Sequence, residues 1–100
     1  MSISSQHLEQ DKKIVIDIKG RFDFSMQKEF REAYRNHDPY LLYIVNLTQT
    51  EYMDSSALGM LLLLRQHAGE KSDRVVLRGA GEAVRKILDI ANFGKLFVIE

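Results

Sequence analysis

The chain has 100 residues, which is the usual length of one small domain. Apolar residues make up 45% of it and charged residues 28%, a globular balance that excludes disorder through low hydrophobicity. Its 14 basic and 14 acidic side chains cancel, so neither a basic nucleic-acid-binding surface nor a polyacidic tail is expected. The lack of cysteine excludes disulfides, thiolate metal sites and cysteine nucleophiles.

No segment of the sequence predicts a signal peptide or a membrane span. The first residues lack the basic-then-apolar order of a secretory signal. The longest apolar run, residues 60–64, is far shorter than the roughly 20 residues that cross a bilayer. We therefore expect one cytoplasmic domain, residues 1–100, that does not insert into a membrane.

The apolar pattern predicts alternating strands and helices. The first half is predicted to contain a weak strand over residues 3–8, a strand over 14–18 that Gly20 ends, and a strand from Tyr40 to Leu47. Between the last two strands we predict a helix that Ser25 caps and that buries Met26, Phe30, Ala33 and Tyr34. The second half is predicted to contain a helix from Ser55 or Ser56 to about Ala68, a strand over 74–77, a helix over 82–91 and a strand over 97–99. Parallel neighbouring strands need helical crossovers. This order therefore predicts an α/β fold with a mixed, mainly parallel sheet of about five strands and three or four helices.

The most unusual segment is the polar turn Asp54-Ser55-Ser56, which joins a buried strand to a very apolar helix. One interpretation is structural: both serine hydroxyls cap free backbone N–H groups at the helix start. The other interpretation is functional and depends on which residues share the face of Ser56.

A helical projection at about 100° per residue separates two faces of this helix. One broad stripe is suited to the core; it contains Ala57, Leu58, Leu61, Leu62, Leu64 and Ala68. Gly59, Met60 and Leu63 instead share the side of Ser56. Two large apolar side chains beside a serine, outside the core, suggest a protein-binding surface, although a loop that covers them would explain the same pattern.

Catalysis by Ser56 is not expected. His67 lies on the same face, but eleven helical residues place it roughly 16 Å away, too far to act as a base. The G-x-S-x-G nucleophile motif is missing. A phosphoryl group on Ser56 would suit a helix N-terminus, yet its charge of about −1.5 to −2 would oppose a docked partner. Modification therefore suits this serine better than catalysis, and we predict no enzymatic activity.

Four segments together resemble the STAS domains, particularly bacterial anti-sigma-factor antagonists. Residues 54–59, Asp-Ser-Ser-Ala-Leu-Gly, resemble the family's D-S-S-[GA]-[LI]-G signature. Residues 20–23, Gly-Arg-Phe-Asp, resemble its G-x-[LIF]-D segment, and residues 46–48 resemble its [DN]-L-[ST] strand end. Residues 91–99 resemble its closing helix and strand.

The resemblance implies a role for each matching residue. Ser56 would be phosphorylated by an anti-sigma factor with serine-kinase activity, and a metal-dependent phosphatase would remove the phosphate. The unphosphorylated chain would bind the anti-sigma factor and free the sigma factor, which regulates transcription. The expected partner-binding residues are Asp23, Asp54, Ser55, Ala57, Gly59, Met60 and Leu63, with Asp23 beside the phosphorylation site.

The resemblance also implies that this chain needs no cofactor, since ATP and metal belong to the partners. We interpret Asp17, Asp23 and Asp54 as solvated or capping side chains rather than metal ligands. A second hypothesis remains open: a STAS accessory subunit of a membrane transport complex, a scaffold whose serine merely caps the helix. We expect a monomer and no binding of nucleic acid.

Overall fold

The computed structural model describes residues 2–8, 12–39 and 41–100. It contains five strands, which are β1 (Ser2–Leu8), β2 (Lys13–Phe22), β3 (Leu42–Met53), β4 (Val75–Arg78) and β5 (Val98–Ile99). Its three α-helices are α1 (Gln27–Glu32), α2 (Ser55–His67) and α3 (Glu82–Ile90). Short 3-10 turns, Phe24–Met26 and Phe93–Lys95, precede α1 and β5. The predicted order of elements is confirmed.

The strands form one sheet in the order β1-β2-β3-β4-β5. Only β1 and β2 are antiparallel, and the other three pairs are parallel. The predicted mixed, mainly parallel sheet is therefore confirmed. Alternate residues of the strands, such as Ile14 and Ile16 of β2, join the buried residues of all three helices in one core. Within the described residues, no helix is long and apolar enough to cross a membrane.

Two strands extend beyond their predicted ends. Gly20 does not end β2; with φ of +88° it lies at an irregularity in the pairing with β3, and the strand continues to Phe22. The strand β3 continues past Leu47 to Met53 because β2 still pairs with it there, whereas β4 pairs only with residues 43–46. Polar side chains are tolerated in this second half, where β3 has a single neighbour. The predicted strand start at Tyr40 lies outside the described residues.

The start of α1 differs from the prediction that Ser25 caps it. The N-cap of the preceding 3-10 turn is Asp23, whose carboxylate accepts a hydrogen bond from the backbone N–H of Ser25 at 3.0 Å. The predicted apolar face is correct, since its four residues are all buried; they are Met26, Phe30, Ala33 and Tyr34.

The start of α2 also differs from the capping interpretation of the serine pair. Asp54 is the N-cap, and its Oδ1 accepts a hydrogen bond from the backbone N–H of Ala57 at 2.9 Å. A carboxylate is as good an N-cap acceptor as a hydroxyl, and its negative charge also interacts favourably with the positive end of the helix dipole. The serines of this chain therefore do not supply the cap.

The orientation of α2 matches the prediction in part. Ala57, Leu61, Leu64 and Ala68 are buried as expected. Leu62, at the edge of the predicted stripe, is 41% exposed, so its assignment to the core was wrong. The prediction for Met60 was also wrong, because only 4% of its surface is exposed. Helix α1 contacts α2 and, with the turn before it, covers the side of α2 that carries Met60.

We predict that Asp54→Ala lowers the free energy of unfolding by about 1 kcal/mol, because the N–H of Ala57 loses its side-chain acceptor. Ser55→Ala is the matched control and should change stability by less than about 0.5 kcal/mol, since Ser55 is exposed. Urea denaturation of both variants measures the difference. Equal losses would show that the serine pair shares the capping role.

An aromatic cluster joins the end of α2 to the segment that follows α1. The buried Tyr43 hydroxyl donates to the backbone oxygen of Asp38 at 2.9 Å. The Nε2 atom of His67 lies 3.0 Å from the backbone oxygen of His37 and 3.1 Å from the Tyr43 hydroxyl. Because a carbonyl oxygen only accepts, Nε2 carries a hydrogen. His67 therefore has a structural role at the end of α2 opposite to Ser56.

We predict that Tyr43→Phe lowers the free energy of unfolding by about 1 kcal/mol, because this hydroxyl bonds two partners inside the protein. Burial raises the pKa of Tyr43 to about 12 from 10.0, so its stabilising effect is present below pH 10.0 and is lost as the pH rises toward 12. Thermal unfolding between neutral and alkaline pH checks both statements. Tyr52→Phe is the control, since Tyr52 is 43% exposed.

Candidate protein-binding site around Ser56

The sheet brings the two aspartates of the sequence motifs to one edge. β2 and β3 are parallel neighbours, and their last residues, Phe22 and Met53, are paired. The backbone N–H of Asp54 donates to the oxygen of Phe22 at 3.4 Å. Asp23 and Asp54, each the first residue after its strand, therefore lie at the same edge, where the serine pair begins α2.

Asp23 organises the turn that follows β2. Its Oδ1 accepts hydrogen bonds from the backbone N–H of Ser25 at 3.0 Å and from the Ser25 hydroxyl at 2.5 Å. The guanidinium Nε of Arg21 lies 3.5 Å from Oδ2. The hydrogen bond from the Ser25 hydroxyl, with smaller contributions from the Ser25 backbone and Arg21, holds the pKa of the Asp23 carboxyl below its usual value. Asp23 is thus an ionised side chain that fixes the turn carrying Phe24.

The serine pair lies in the first turn of α2 and does not cap the helix. Ser55 is exposed and Ser56 is half-buried. In the described part of the chain, neither hydroxyl has a hydrogen-bond partner. Because Asp54 caps the helix, the Ser56 hydroxyl is available to react with a partner or to contact it.

A shallow apolar groove lies beside Ser56, between α2 and the turn that follows β2. Ser56, Gly59 and Leu63 form its α2 side, and Phe24 and Gln27 form the other side, while Met60 also lines it. Phe24 is 67% exposed and Leu63 is 49% exposed, so both rims of the groove are apolar and accessible. Such exposed apolar surface is typical of a site that binds another protein.

Gly59 leaves this groove open. A Cβ atom added at Gly59 would meet no atom within 4 Å, so packing inside the chain does not require glycine there. Any side chain at this position would project into the space between Ser56 and Leu63, one helical turn from each. The glycine therefore gives a partner access to the backbone of α2.

The structure separates the expected partner-binding residues into two groups. Asp23, Asp54, Ser55, Ser56, Gly59 and Leu63 lie at the sheet edge or along the groove. Ala57 is fully buried, so the expectation that its side chain contacts a partner was wrong. Ala57 packs in the core instead. Met60 contributes only its small exposed fraction to the groove.

Phe24 is the residue that the sequence analysis missed. Phe24 precedes α1 and does not share the helical spacing of Met26 and Phe30. The apolar pattern therefore predicted neither burial nor exposure for this side chain. The sequence did contain a signal for its exposure, since Phe24 is a large apolar residue directly after the turn aspartate Asp23 and outside the apolar stripe of α1. Its exposure depends on the path of the 3-10 turn, which only the folded structure shows.

The described residues contain no group of three or more His, Asp or Glu side chains placed to hold a metal ion.

Tyr52 adds a further exposed aromatic ring to this edge, with the Arg21 guanidinium carbon 4.5 Å from its centroid. The site therefore combines a helix-start serine, an apolar groove and a small number of charged groups.

Comparison with known proteins gives the family. Residues 6–100 match the family model described as "Mlab, STAS domain". A STAS-domain containing protein of Pseudomonas aeruginosa (strain UCBPP-PA14) is 45% identical over 100 residues, which cover 99% of this chain and 99% of that protein.

Solved structures share the fold. The anti-sigma factor antagonist SpoIIAA in its unphosphorylated form has a TM-score of 0.78 at 18% identity, over 99% of this chain and 88% of that one. SpoIIAA of Bacillus in its phosphorylated form has a TM-score of 0.67 at 17% identity, with 99% and 91% covered. An anti-sigma factor antagonist from Mycobacterium paratuberculosis has a TM-score of 0.75 at 19% identity, with 98% and 85% covered. With its sequence, sheet order and serine motif in agreement, this chain belongs to the STAS domain family.

Proposed function

We propose that this chain is an anti-sigma-factor antagonist that binds an anti-sigma factor with serine-kinase activity while Ser56 is unphosphorylated. The observation that carries the proposal is the Ser56 hydroxyl, which has no hydrogen-bond partner in the described residues and lines an apolar groove. Two of the proteins that share the fold are named as anti-sigma factor antagonists, and one of them, SpoIIAA, has structures in phosphorylated and unphosphorylated forms.

The position of Ser56 suits a modification that leaves the fold intact. A phosphoryl group adds about −1.5 to −2 charges and would lie near the positive end of the α2 dipole. Because the Ser56 hydroxyl makes no hydrogen bond that the modification would break, the helix start should persist. Phosphorylation therefore changes the surface rather than the core.

The same charge opposes a partner in the groove. The unmodified groove, with Phe24 and Leu63 at its rims, fits an apolar side chain of the anti-sigma factor. A docked partner would bury the phosphoryl group next to that apolar contact, and desolvating a dianion is costly. Any carboxylate of the partner nearby would also be repelled. Phosphorylation therefore releases the partner.

In this proposal the chain is a non-enzymatic binding module that acts in the cytoplasm as a monomer. The kinase brings ATP and its metal, and a metal-dependent serine phosphatase removes the phosphate and restores binding. Asp23 and Asp54 contribute by fixing the two turns that carry Phe24 and Ser56. Release of the anti-sigma factor's other partner, the sigma factor, changes transcription.

We predict that Ser56→Ala binds the anti-sigma factor of the same organism constitutively, and that Ser56→Asp weakens binding at least tenfold through its added charge. A pull-down with both variants and the wild type measures this. Ser72→Ala and Ser72→Asp are matched controls, because Ser72 is exposed and does not line the groove. Incubation with the kinase and ATP, followed by mass spectrometry, should place the phosphate on Ser56.

Three results would each contradict part of this proposal. Phosphate found on Ser55 would overturn the choice between the serines. Equal affinity of Ser56→Ala and Ser56→Asp for the anti-sigma factor would overturn the switch itself. If both variants instead bound components of a membrane transporter equally well, the hypothesis of an accessory scaffold would replace it.

We further predict that Phe24→Glu and Leu63→Glu each weaken binding to the anti-sigma factor at least tenfold, since each places a charge at an apolar rim. Stability should change little, because both side chains are largely exposed. Ile90→Glu is the control, as Ile90 is 75% exposed on α3 and lies outside the groove. Equal binding by all three variants, measured by isothermal titration calorimetry, would exclude the groove as the contact surface.

A further inference from the structure

We infer that Arg21 binds a carboxylate of the partner protein, as a second contact beside the apolar groove. This inference rests on the proposed function, since it concerns the same partner at the same sheet edge. It assigns a specificity-determining role to a residue that the serine motif does not include. Two neighbouring side chains, Tyr52 and Asp23, contact its guanidinium.

The guanidinium of Arg21 is oriented although its side chain is 60% exposed. Its central carbon lies 4.5 Å from the centroid of the Tyr52 ring, at a distance typical of a cation–π contact. Its Nε atom lies 3.5 Å from Asp23 Oδ2. Arg21 and Tyr52 are paired residues of β2 and β3, so the sheet itself fixes this geometry. These two contacts favour one orientation of the Arg21 side chain in the free chain.

The two terminal nitrogens of this guanidinium are left for a partner. Among the described residues, Arg21 contacts Asp23 through Nε and Tyr52 through its flat face, and neither contact uses the terminal nitrogens. A planar fork of N–H donors matches the two oxygens of a carboxylate. Orienting a side chain normally costs entropy on binding, and the contacts with Tyr52 and Asp23 lower that cost for Arg21. The Asp23 carboxylate offsets part of the guanidinium charge, so the two terminal nitrogens carry the contact to the partner's carboxylate.

One partner can reach Arg21 and the groove together. Arg21 and Phe24 are three positions apart in the chain, so their Cα atoms are at most about 11 Å apart. Tyr52 and Ser56 are similarly close along β3 and α2. A standard protein interface covers about 800 Å2 on each partner, which is enough to include both contacts. The partner surface that fits is therefore an apolar side chain with an Asp or Glu next to it.

This arrangement also makes binding sensitive to phosphorylation. A carboxylate docked on Arg21 would lie near the groove that Ser56 lines, and a phosphoryl group on Ser56 would repel it. Without the contact to Arg21, phosphorylation of Ser56 would weaken binding in the groove only through the cost of desolvating the phosphoryl group. The carboxylate on Arg21 adds like-charge repulsion to that effect.

The test is the affinity of unphosphorylated protein for the anti-sigma factor, measured by calorimetry at several salt concentrations. Arg21→Gln should raise Kd about tenfold or more and make Kd depend less on salt, because an ion pair is lost. Arg21→Lys should fall between the wild type and Arg21→Gln, since it keeps the charge without the fork. Arg85→Gln is the control: Arg85 pairs with Asp89 on the exposed surface of α3, far from this edge in the chain.

Phe24→Glu and Ser56→Asp, measured in parallel, separate this inference from the proposed function. If those two variants weaken binding and Arg21→Gln does not, the role of Arg21 is wrong and the switch stands. If the wild type does not bind the anti-sigma factor, both are wrong. The melting temperature of Arg21→Gln is measured as well. If it equals that of the wild type, the loss of affinity is not caused by loss of the fold.

Charge reversal identifies the carboxylate itself. Arg21→Glu should abolish binding, and Lys placed at one acidic surface position of the anti-sigma factor should restore it. Restoration at a single position supports the ion pair and names the partner residue. A complete set of acid-to-Lys variants that restores nothing overturns the assignment of a carboxylate to Arg21.

Discussion

The site depends on one interaction above all, the hydrogen bond from the Ala57 N–H to the Asp54 carboxylate. A helix start exposes N–H groups that need acceptors, and serine hydroxyls are common acceptors there. Because Asp54 supplies this acceptor, the two serines after it make no structural hydrogen bond in the described chain. In the proposed function, a phosphoryl group added at Ser56 would therefore leave the cap of α2 intact.

The parallel pairing of β2 with β3 gives this interaction its surroundings. The two strands end together, so Asp23 and Asp54 each begin a turn at the same edge of the sheet. The turn after β2 places Phe24 across from Leu63, and the last part of the strand pair places Arg21 over Tyr52. The apolar groove beside Ser56 and the contact of Arg21 with Tyr52 are thus joined by the turn that Asp23 holds.

Burial separates the residues that maintain the fold from those available to a partner. Ala57 and Met60 lie within two turns of the serine pair, yet both are buried and keep α2 packed against its neighbours. Phe24 and Leu63 are exposed, and nothing described in the chain covers them fully. Because the buried and the exposed residues differ, substitutions at Phe24 and Leu63 are expected to change the surface with little loss of stability.

The sequence by itself determined the order of strands and helices, the mainly parallel sheet, the start of α2 and the serine motif, because these follow from local apolar periodicity and short-range polar patterns. It did not determine the capping residue, the burial of Met60 or the exposure of Phe24. Helical spacing defines a face of α2 but not which neighbour covers that face, and α1 covers the side of Met60. The contact of Arg21 with Tyr52 likewise required the register of two strands that are thirty residues apart, which only the tertiary structure decides.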